Sequence, residues 1–455
     1  MNHITTQPLS HPTHKFNPSI FREYDIRGTY ELNLFDADAY QIGLNYAATL
    51  KNGKVAVGFD GRVSSPALSN ALISGLNDGG IDVVNIGLVP TPATYFAAFH
   101  LDLDGAIMVT GSHNPPDQNG FKIMLGKNSL HGEGIAALSK SRGKRQEARG
   151  KVENLDIKAD YIKKITSSLI PNACGLKIGW DPANGAAGEI TEIISGGKFA
   201  INTKIDGTFP AHHADPTVEK NLEQLKDLVF ENNLDVGFAF DGDGDRLGIV
   251  DNLGRAIWGD QILAILCKGI ADKFAGANIV VDVKTSKAVT DYIASLGLKP
   301  VIWKTGHSLI KAKMKELNAP LAGEMSAHIF FEDGYFGFDD GVYAAIRFLE
   351  VMQKFGKTSA ELLDELPKMV SSPEHKIAVN DDKKFELIEK LKAIVPKPFL
   401  DIDGVRKTHD YGWWLVRASN TGGNIICRFE ADSKSNFAKI EAEITENLNK
   451  IGLKI

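Results

Sequence analysis

Short, unbroken apolar runs rich in Val and Ile punctuate the chain, each closed by a small polar loop and followed by residues whose apolar positions recur at helical spacing. Three stretches share this grammar: KVAVGFDGRVSSPALSNAL from Lys54, LKIGWDPANGAAGEI from Leu176 and NIVVDVKTSKAVTDYIASL from Asn278. A continuous rather than alternating apolar run is the pattern of a strand buried on both faces. The three starts lie roughly 100 to 120 residues apart, too irregular for a solenoid and suited to three successive α/β domains of similar plan. Further strands are expected at Val236, at Leu247, up to Thr110 and up to Arg417, and charged helices around Lys383 to Ile394 and Phe437 to Leu448.

Boundaries follow from the breaks. LSKSRGKRQEARGK, from Leu138, carries six basic residues and one acidic. With no interleaved aromatics it reads as a solvated helix or linker rather than a nucleic-acid patch. SSPEH from Ser371 marks another break. The expectation is four domains: residues 1–155, 156–257, 258–370 and a smaller α+β domain 371–455, with mixed sheets in the first three, arranged around a central cleft. The first nineteen residues lack the charged and apolar regions of a signal peptide and read as a loose tail.

Composition adjusts this picture only slightly. A length of 455 residues alone predicts about three domains. A net charge of -6 gives no general reason to expect nucleic acid or an anionic membrane. Cys174, Cys267 and Cys427 offer neither a zinc-like pairing nor a disulfide framework, which fits a reducing cytoplasm. No apolar run approaches the roughly 18 residues that cross a bilayer.

Candidate chemistry sits in four loops. In VGFAFDGDGDRLGIVD, Asp241, Asp243 and Asp245 crowd one turn between two strands. Three such carboxylates repel unless a hard cation, magnesium or calcium, neutralises them; the alternative is a solvated glycine-rich hairpin. An EF-hand fits poorly, because Arg246 and Asn252 occupy the positions that need Gly and Glu. In VTGSHNPPDQNGFK, a strand delivers Ser112 to a turn stiffened by proline, with Lys122 beyond it, the setting of a rigidly held, exposed nucleophile or of a plain turn. It is not the GxSxG elbow of an acyl hydrolase. RASNTGG groups Arg417, Ser419, Asn420 and Thr421 as a phosphate cradle or a polar turn. GEMSAH puts Glu324, Ser326 and His328 on one side if the segment is extended, to read sugar hydroxyls or to face solvent from an edge strand.

Taken together these segments resemble the α-D-phosphohexomutases, in particular the phosphomannomutase/phosphoglucomutase branch. FREYDIRG (21–28), TGSHNPPDQNGFK, GTFPAHHADP (207–216), DGDGDR, VDVKTS, KTGHSLIK (304–311), GEMSAH, FGFDDGVYAA and RASNTGG occur in that family's order, from residue 21 to beyond 420. The resemblance implies an isomerase that moves phosphate between C1 and C6 of glucose and mannose phosphates through a phosphoserine and a hexose 1,6-bisphosphate, which also serves as activator. It implies Ser112 as the phosphoserine, and Asp241, Asp243 and Asp245 as Mg²⁺ ligands completed by the phosphate on Ser112. Arg246 would lie beside the metal, and Arg27, Lys122, His307 and His328 would position groups or move protons. Tyr24, Lys284, Glu324 and Ser326 would meet the sugar phosphate, and Arg417, Ser419, Asn420 and Thr421 would hold the idle phosphate. Small hexose phosphates would be the partners, with no nucleic acid or membrane, in a cytoplasmic monomer or small homo-oligomer.

Two departures stand out. Ala418, Gly422 and Gly423 replace stiffer residues of the family's distal loop, and Ala327 stands where the dual-specific branch commonly has Gly. Three alternatives remain: a phosphoglucosamine-type mutase, a haloacid-dehalogenase-like phosphatase with Asp241 as nucleophile, and a non-catalytic sugar-phosphate binder. The third aspartate and Arg246 fit the phosphatase poorly, and the intact Ser112 and Asp triplet argue against the binder.

Overall fold

The computed structural model describes residues 14–50, 52–171, 174–380, 382–419 and 423–455. β1 (Ile26–Thr29), β2 (Lys54–Phe59), β3 (Asp82–Leu88), β4 (Gly105–Val109), β5 (Gln118–Leu125), β6 (Asn128–Ser129) and β7 (Val152–Asn154) form a seven-stranded sheet of order β1-β5-β4-β2-β3-β7, with β6 against β5. Its centre is parallel, and the β4/β5 and β5/β1 pairs are antiparallel. β8 (Ile178–Asp181), β9 (Val236–Phe240), β10 (Leu247–Asp251) and β11 (Ala256–Ile257) make a second mixed sheet. β12 (Asn278–Asp282), β13 (Lys299–Trp303), β14 (Leu321–Gly323) and β15 (Ile329–Phe331) make a third. β16 (Val370–Ser371), β17 (His375–Ala378), β18 (Val405–His409), β19 (Gly412–Ala418) and β20 (Asn424–Ala431) form a fourth, wholly antiparallel sheet.

The local chemistry explains the elements. Val55, Ala56 and Val57 in β2, and Ile279, Val280 and Val281 in β12, are fully buried, as unbroken apolar runs require of strands covered on both faces. Pro66 and Pro92 occupy the first turns of the helices Ser65–Asp78 and Thr91–His100, where a missing N–H costs nothing. Asp340 caps the helix Gly341–Phe355 by accepting from the Tyr343 N–H at 2.9 Å.

One apolar core runs through the first three units. It contains Phe96 and Ala106, Trp180 and Phe238, and Leu263 and Phe348, and the Tyr161 hydroxyl donates across it to Asp340 at 2.9 Å. The fourth unit has a core of its own, built around Trp414, Phe429 and Ile444. Its contact with the third combines a small apolar cluster, Val283 with Trp413 and Leu415, with polar links: Arg406 donates to the carbonyls of Val283 and Thr285 while stacking on Trp413 at 3.9 Å, and Arg428 donates to the Lys284 carbonyl.

One expectation changes and another is refined. The end of the N-terminal segment is packed, not loose: His14 meets Asp38 at 2.7 Å, Phe16 is buried against Phe21, and Pro18–Ile20 form a 3-10 turn capped by Asn17. The basic segment, expected as a solvated helix or linker, is the end of one followed by the other. The helix Glu133–Lys140 ends at Ser141, and the chain continues as an irregular strap into β7, with Arg145 and Arg149 both paired to Asp78.

Candidate active site

The loops at the carboxyl ends of β4, β9 and β14 converge, as α/β sheets dictate. Ser112 follows β4 in a left-handed conformation, φ 50°, and its hydroxyl donates to Asp241 Oδ2 at 2.8 Å. It is only 2% exposed, so the nucleophile candidate is rigidly held but buried, not displayed to solvent. The close approach explains Gly242: a Cβ there would stand 2.4 Å from the Ser112 carbonyl oxygen.

Asp241, Asp243 and Asp245 are fully buried, which removes the reading of a solvated hairpin. Each presents a carboxylate oxygen within 4.8 Å of the others. Lys122, reaching in from β5, pairs with Asp243 at 2.7 Å and also with Asp245, and Thr91 donates to Asp243. Asp243 Oδ1 and Asp245 Oδ1 have no hydrogen-bond partner among the described residues. Buried, orphaned carboxylate oxygens facing a shared point suit a hard, oxygen-seeking cation.

Electrostatics follow from this crowding. Burial, and after it repulsion from Asp243 and Asp245, holds Asp241 well above the usual carboxylate range. Burial and Asp243 likewise push Asp245 up. Asp243 is lowered: burial resists ionisation, but the Lys122 ammonium and the Thr91 hydroxyl outweigh it. Burial would depress Lys122 too, yet Asp243 and Asp245 raise it.

Cations and histidines complete the wall. Arg246 Nε stands 3.9 Å from Asp241 and donates to His328 Nε2 at 3.2 Å, so the proton of a neutral His328 belongs on Nδ1. That Nδ1 lies 3.0 Å from Asp339 Oδ2 and 3.5 Å from Asp245 Oδ1, while Lys311 pairs with the other Asp339 oxygen at 2.9 Å. His307 stacks on His328, and burial, then Lys311, drive its pKa well down. Arg27 Nε donates to Asp25 at 2.8 Å and its terminal nitrogen to the Thr110 carbonyl. Tyr24, Arg27, Ser112, Lys122, Arg246, His307 and His328 thus line one cleft of about 260 Å³.

Other candidates lie in the fourth unit and beside its junction with the third. Arg417, near the end of β19, pairs with Asp403 at 3.0 Å, and Asp403 also accepts from the Thr305 N–H. The Lys384 ammonium donates to the Ser419 carbonyl at 2.6 Å. Lys284 lies 3.6 Å from Glu374. Asn420 and Thr421 lie outside the described residues. Asp403, Gly404 and Ala418 border a further cavity of about 350 Å³ with Lys304 and Glu23.

GEMSAH is not extended. Its chain reverses between β14 and β15: the Ala327 N–H donates to the Glu324 carbonyl at 2.9 Å, the Glu324 N–H to the His328 carbonyl at 2.9 Å, and Ala327 takes φ 71°. Alternation therefore fails. The Glu324 carboxylate accepts from the Gly306 N–H at 2.6 Å, His328 faces the Asp triad, and Ser326 stands at the turn itself, half-buried. Burial pushes Glu324 up, with His328 opposing.

Thr91, Lys311, Asp339 and Asp403 escaped the sequence reading. Asp339 and Lys311 lie in motifs read from the chain, FGFDDGVYAA and KTGHSLIK, and that membership is the available signal. Thr91 and Asp403 carry none.

Family models for the four domains of phosphoglucomutase/phosphomannomutase match the chain: alpha/beta/alpha domain I over residues 18–137, domain II over 159–254, domain III over 258–370, and the C-terminal domain over 374–447. A phosphomannomutase/phosphoglucomutase of Pseudomonas aeruginosa is 42% identical over 95% of the chain and 96% of its own length. A phosphoglucomutase of Neisseria meningitidis is 38% identical over 93% and 95%. The crystal structure of a phosphoglucomutase/phosphomannomutase family protein from Burkholderia thailandensis superposes with TM-score 0.89 at 37% identity, covering 96% of this chain and 98% of that one.

Proposed function

The chain belongs to the α-D-phosphohexomutase family, and from that premise we propose that it interconverts the 1- and 6-phosphates of both glucose and mannose with Ser112 as the phosphoryl carrier. It is an isomerase of carbohydrate metabolism that shifts phosphate between C1 and C6 through a phosphoserine and a hexose 1,6-bisphosphate. The observation that carries the assignment of Ser112 is its hydroxyl, 2.8 Å from Asp241 and walled in by Arg27, Arg246 and Lys122.

Phosphoryl transfer asks little covalent chemistry of the protein and much positioning and charge neutralisation. A phosphate on Ser112 would lie among these cations. Asp241, Asp243 and Asp245 fit a divalent cation, which we take to be Mg²⁺; when bound it neutralises the carboxylates and withdraws charge from phosphoryl oxygens. His307, kept neutral by burial, and His328, oriented by Asp339, are the groups to exchange a proton with the attacking or leaving sugar hydroxyl. Tyr24, Lys284, Glu324 and Ser326 would hold the sugar. Arg417, Ser419, Asn420 and Thr421 would hold the phosphate that is not reacting. After transfer, the bisphosphate turns over so that Ser112 takes back the other phosphate, and a trace of it activates dephosphorylated enzyme.

We further propose domain limits of 1–155, 156–257, 258–370 and 371–455, with β16 straddling the last. The protein would work in the cytoplasm as a monomer or small homo-oligomer, on small hexose phosphates and without nucleic acid or membrane. No described helix is long and apolar enough to cross a membrane. Side-by-side turnover of glucose 1-phosphate and mannose 1-phosphate tests the substrate claim. The two rates should agree within about tenfold, or 1.4 kcal/mol; a gap beyond about a thousandfold would mean strong discrimination at C2 and overturn dual specificity.

A further inference from the structure

Arg62, in the DGR segment after β2, is buried to 0% side-chain exposure and touches none of the three aspartates. A guanidinium has five N–H donors in a fixed fork. Here all five are used. Nε donates to Asp60 Oδ2 at 3.1 Å, one terminal nitrogen to the carbonyls of Pro115 and Gln118 at 2.5 and 2.8 Å, and the other to those of Ser112 and Asn114 at 2.6 and 2.7 Å. Four carbonyls of one loop therefore point at one side chain.

Asp60 locks the same assembly from below. Its carboxylate accepts from the Ser65 and Thr110 hydroxyls at 2.5 and 2.8 Å and from the N–H groups of Arg62 and Gly111 at 3.1 Å. Thr110 Oγ1 in turn accepts from the Ser112 N–H at 2.8 Å. From above, the Phe209 ring lies 5.2 Å from the guanidinium carbon. Phe209 belongs to GTFPAHHADP of the second domain, a motif to which the reaction itself assigns no part. Gly111 is small because a Cβ there would stand 2.3 Å from the guanidinium carbon.

Left-handed backbone at a non-glycine residue costs on the order of 1–3 kcal/mol and persists only where its surroundings over-determine it. The surroundings of Ser112 are this clamp. We infer that Arg62 is the positioning residue of the phosphoryl carrier: it winds backbone 112–118 around its guanidinium, holds Ser112 so that its hydroxyl meets Asp241, and is sealed from water by Phe209. This rests on Ser112 being the carrier. The requirement is for a fork, not for a charge, since a lysine ammonium has three donors at a single point and cannot reach four diverging carbonyls.

Arg62→Lys separates fork from charge. With about 1 Å of misplacement costing about a hundredfold in rate, kcat should fall about that much, KM should stay within about threefold, and the formation of phosphoserine from glucose 1,6-bisphosphate should slow in step. Amide hydrogen exchange should accelerate in residues 111–118 while the thermal midpoint moves by only a few degrees. Lysine supporting kcat within threefold of wild type, or unchanged exchange in that loop, would overturn the inference, as would a loss carried mainly by KM. Should Arg62→Lys not fold, Gly111→Ala, whose methyl group displaces the guanidinium without altering it, must give the same kcat and exchange signature or the inference fails. Failure of the carrier reading looks different: Ser112→Ala would then stay active and phosphate would map elsewhere, whatever Arg62 does.

Discussion

At Ser112, three carboxylates face Lys122, Arg27 and Arg246 beside a cleft among three domains that share one apolar core. At Arg417, one guanidinium and one carboxylate, Asp403, meet on a domain with a separate core, joined to its neighbour through Arg406 and Arg428. The first region is over-determined: each charged group has several partners, and like charges lie close enough to require a cation. In the second, among the described residues, Arg417 pairs with Asp403 and the Lys384 ammonium holds the Ser419 carbonyl. On the roles proposed above, the two regions would serve two tasks: bonds would break where Ser112 stands, while the other phosphate would be gripped at Arg417 and released as the bisphosphate turns.

Damage to the first region should therefore appear in kcat and damage to the second in KM. Ser112→Ala removes the donor and should lower mutase activity about a thousandfold or more, with substrate binding retained by calorimetry. A residual rate within tenfold of wild type would erase the distinction between the regions. Exhaustive chelation, or Asp243→Asn, should cost about 10²- to 10³-fold, restored by Mg²⁺ only in the chelated wild type. Activity that survives chelation would show that Lys122 alone suffices as counter-ion.

Arg417→Ala should raise KM about 10- to 100-fold, the loss of charge-assisted hydrogen bonds to phosphate, while Ser112 remains phosphorylated. A matching collapse of kcat would mean that the distal arginine acts in the chemical step. A subtler effect concerns pH. In the metal-free protein Asp241 and Asp245 titrate above the ordinary carboxylate range, and a cation needs both ionised. Mg²⁺ affinity should therefore strengthen as pH rises through their titration, with protons released on binding, as seen by calorimetry in buffers of differing ionisation heat. Pair affinity that is independent of pH would contradict the crowded-carboxylate account. The smallest effect belongs to Ala327→Gly. Relief of the left-handed strain and loss of a buried methyl group nearly cancel, so stability should change by about 1 kcal/mol or less, and any change in the glucose-to-mannose ratio should be within about tenfold.

Legibility in the sequence follows the same division. Apolar runs such as VAVGF and NIVVD announce the α/β units because burial on both faces leaves a continuous pattern, and DGDGD announces a carboxylate cluster able to hold a cation because its three aspartates fall within one turn. Groups that act across the fold left weaker traces. Asp339 orients His328 and Asp403 holds Arg417, but neither pairing is visible until distant strands are brought together. GEMSAH misled because alternation presumes an extended chain, whereas Ala327 adopts a left-handed turn closed by two backbone hydrogen bonds. A glycine- and proline-stiffened turn suggests a displayed Ser112 hydroxyl; instead the second domain covers it, its Asp241 accepting from that hydroxyl.

The most direct test mixes dephosphorylated protein with glucose 1,6-bisphosphate and follows the phosphate by rapid quench, intact mass and peptide mapping. One phosphate should appear on Ser112, at a rate no slower than turnover, and should leave on addition of hexose monophosphate. Phosphate on Asp241, or an active mutase in which Ser112 never carries phosphate, would contradict the account.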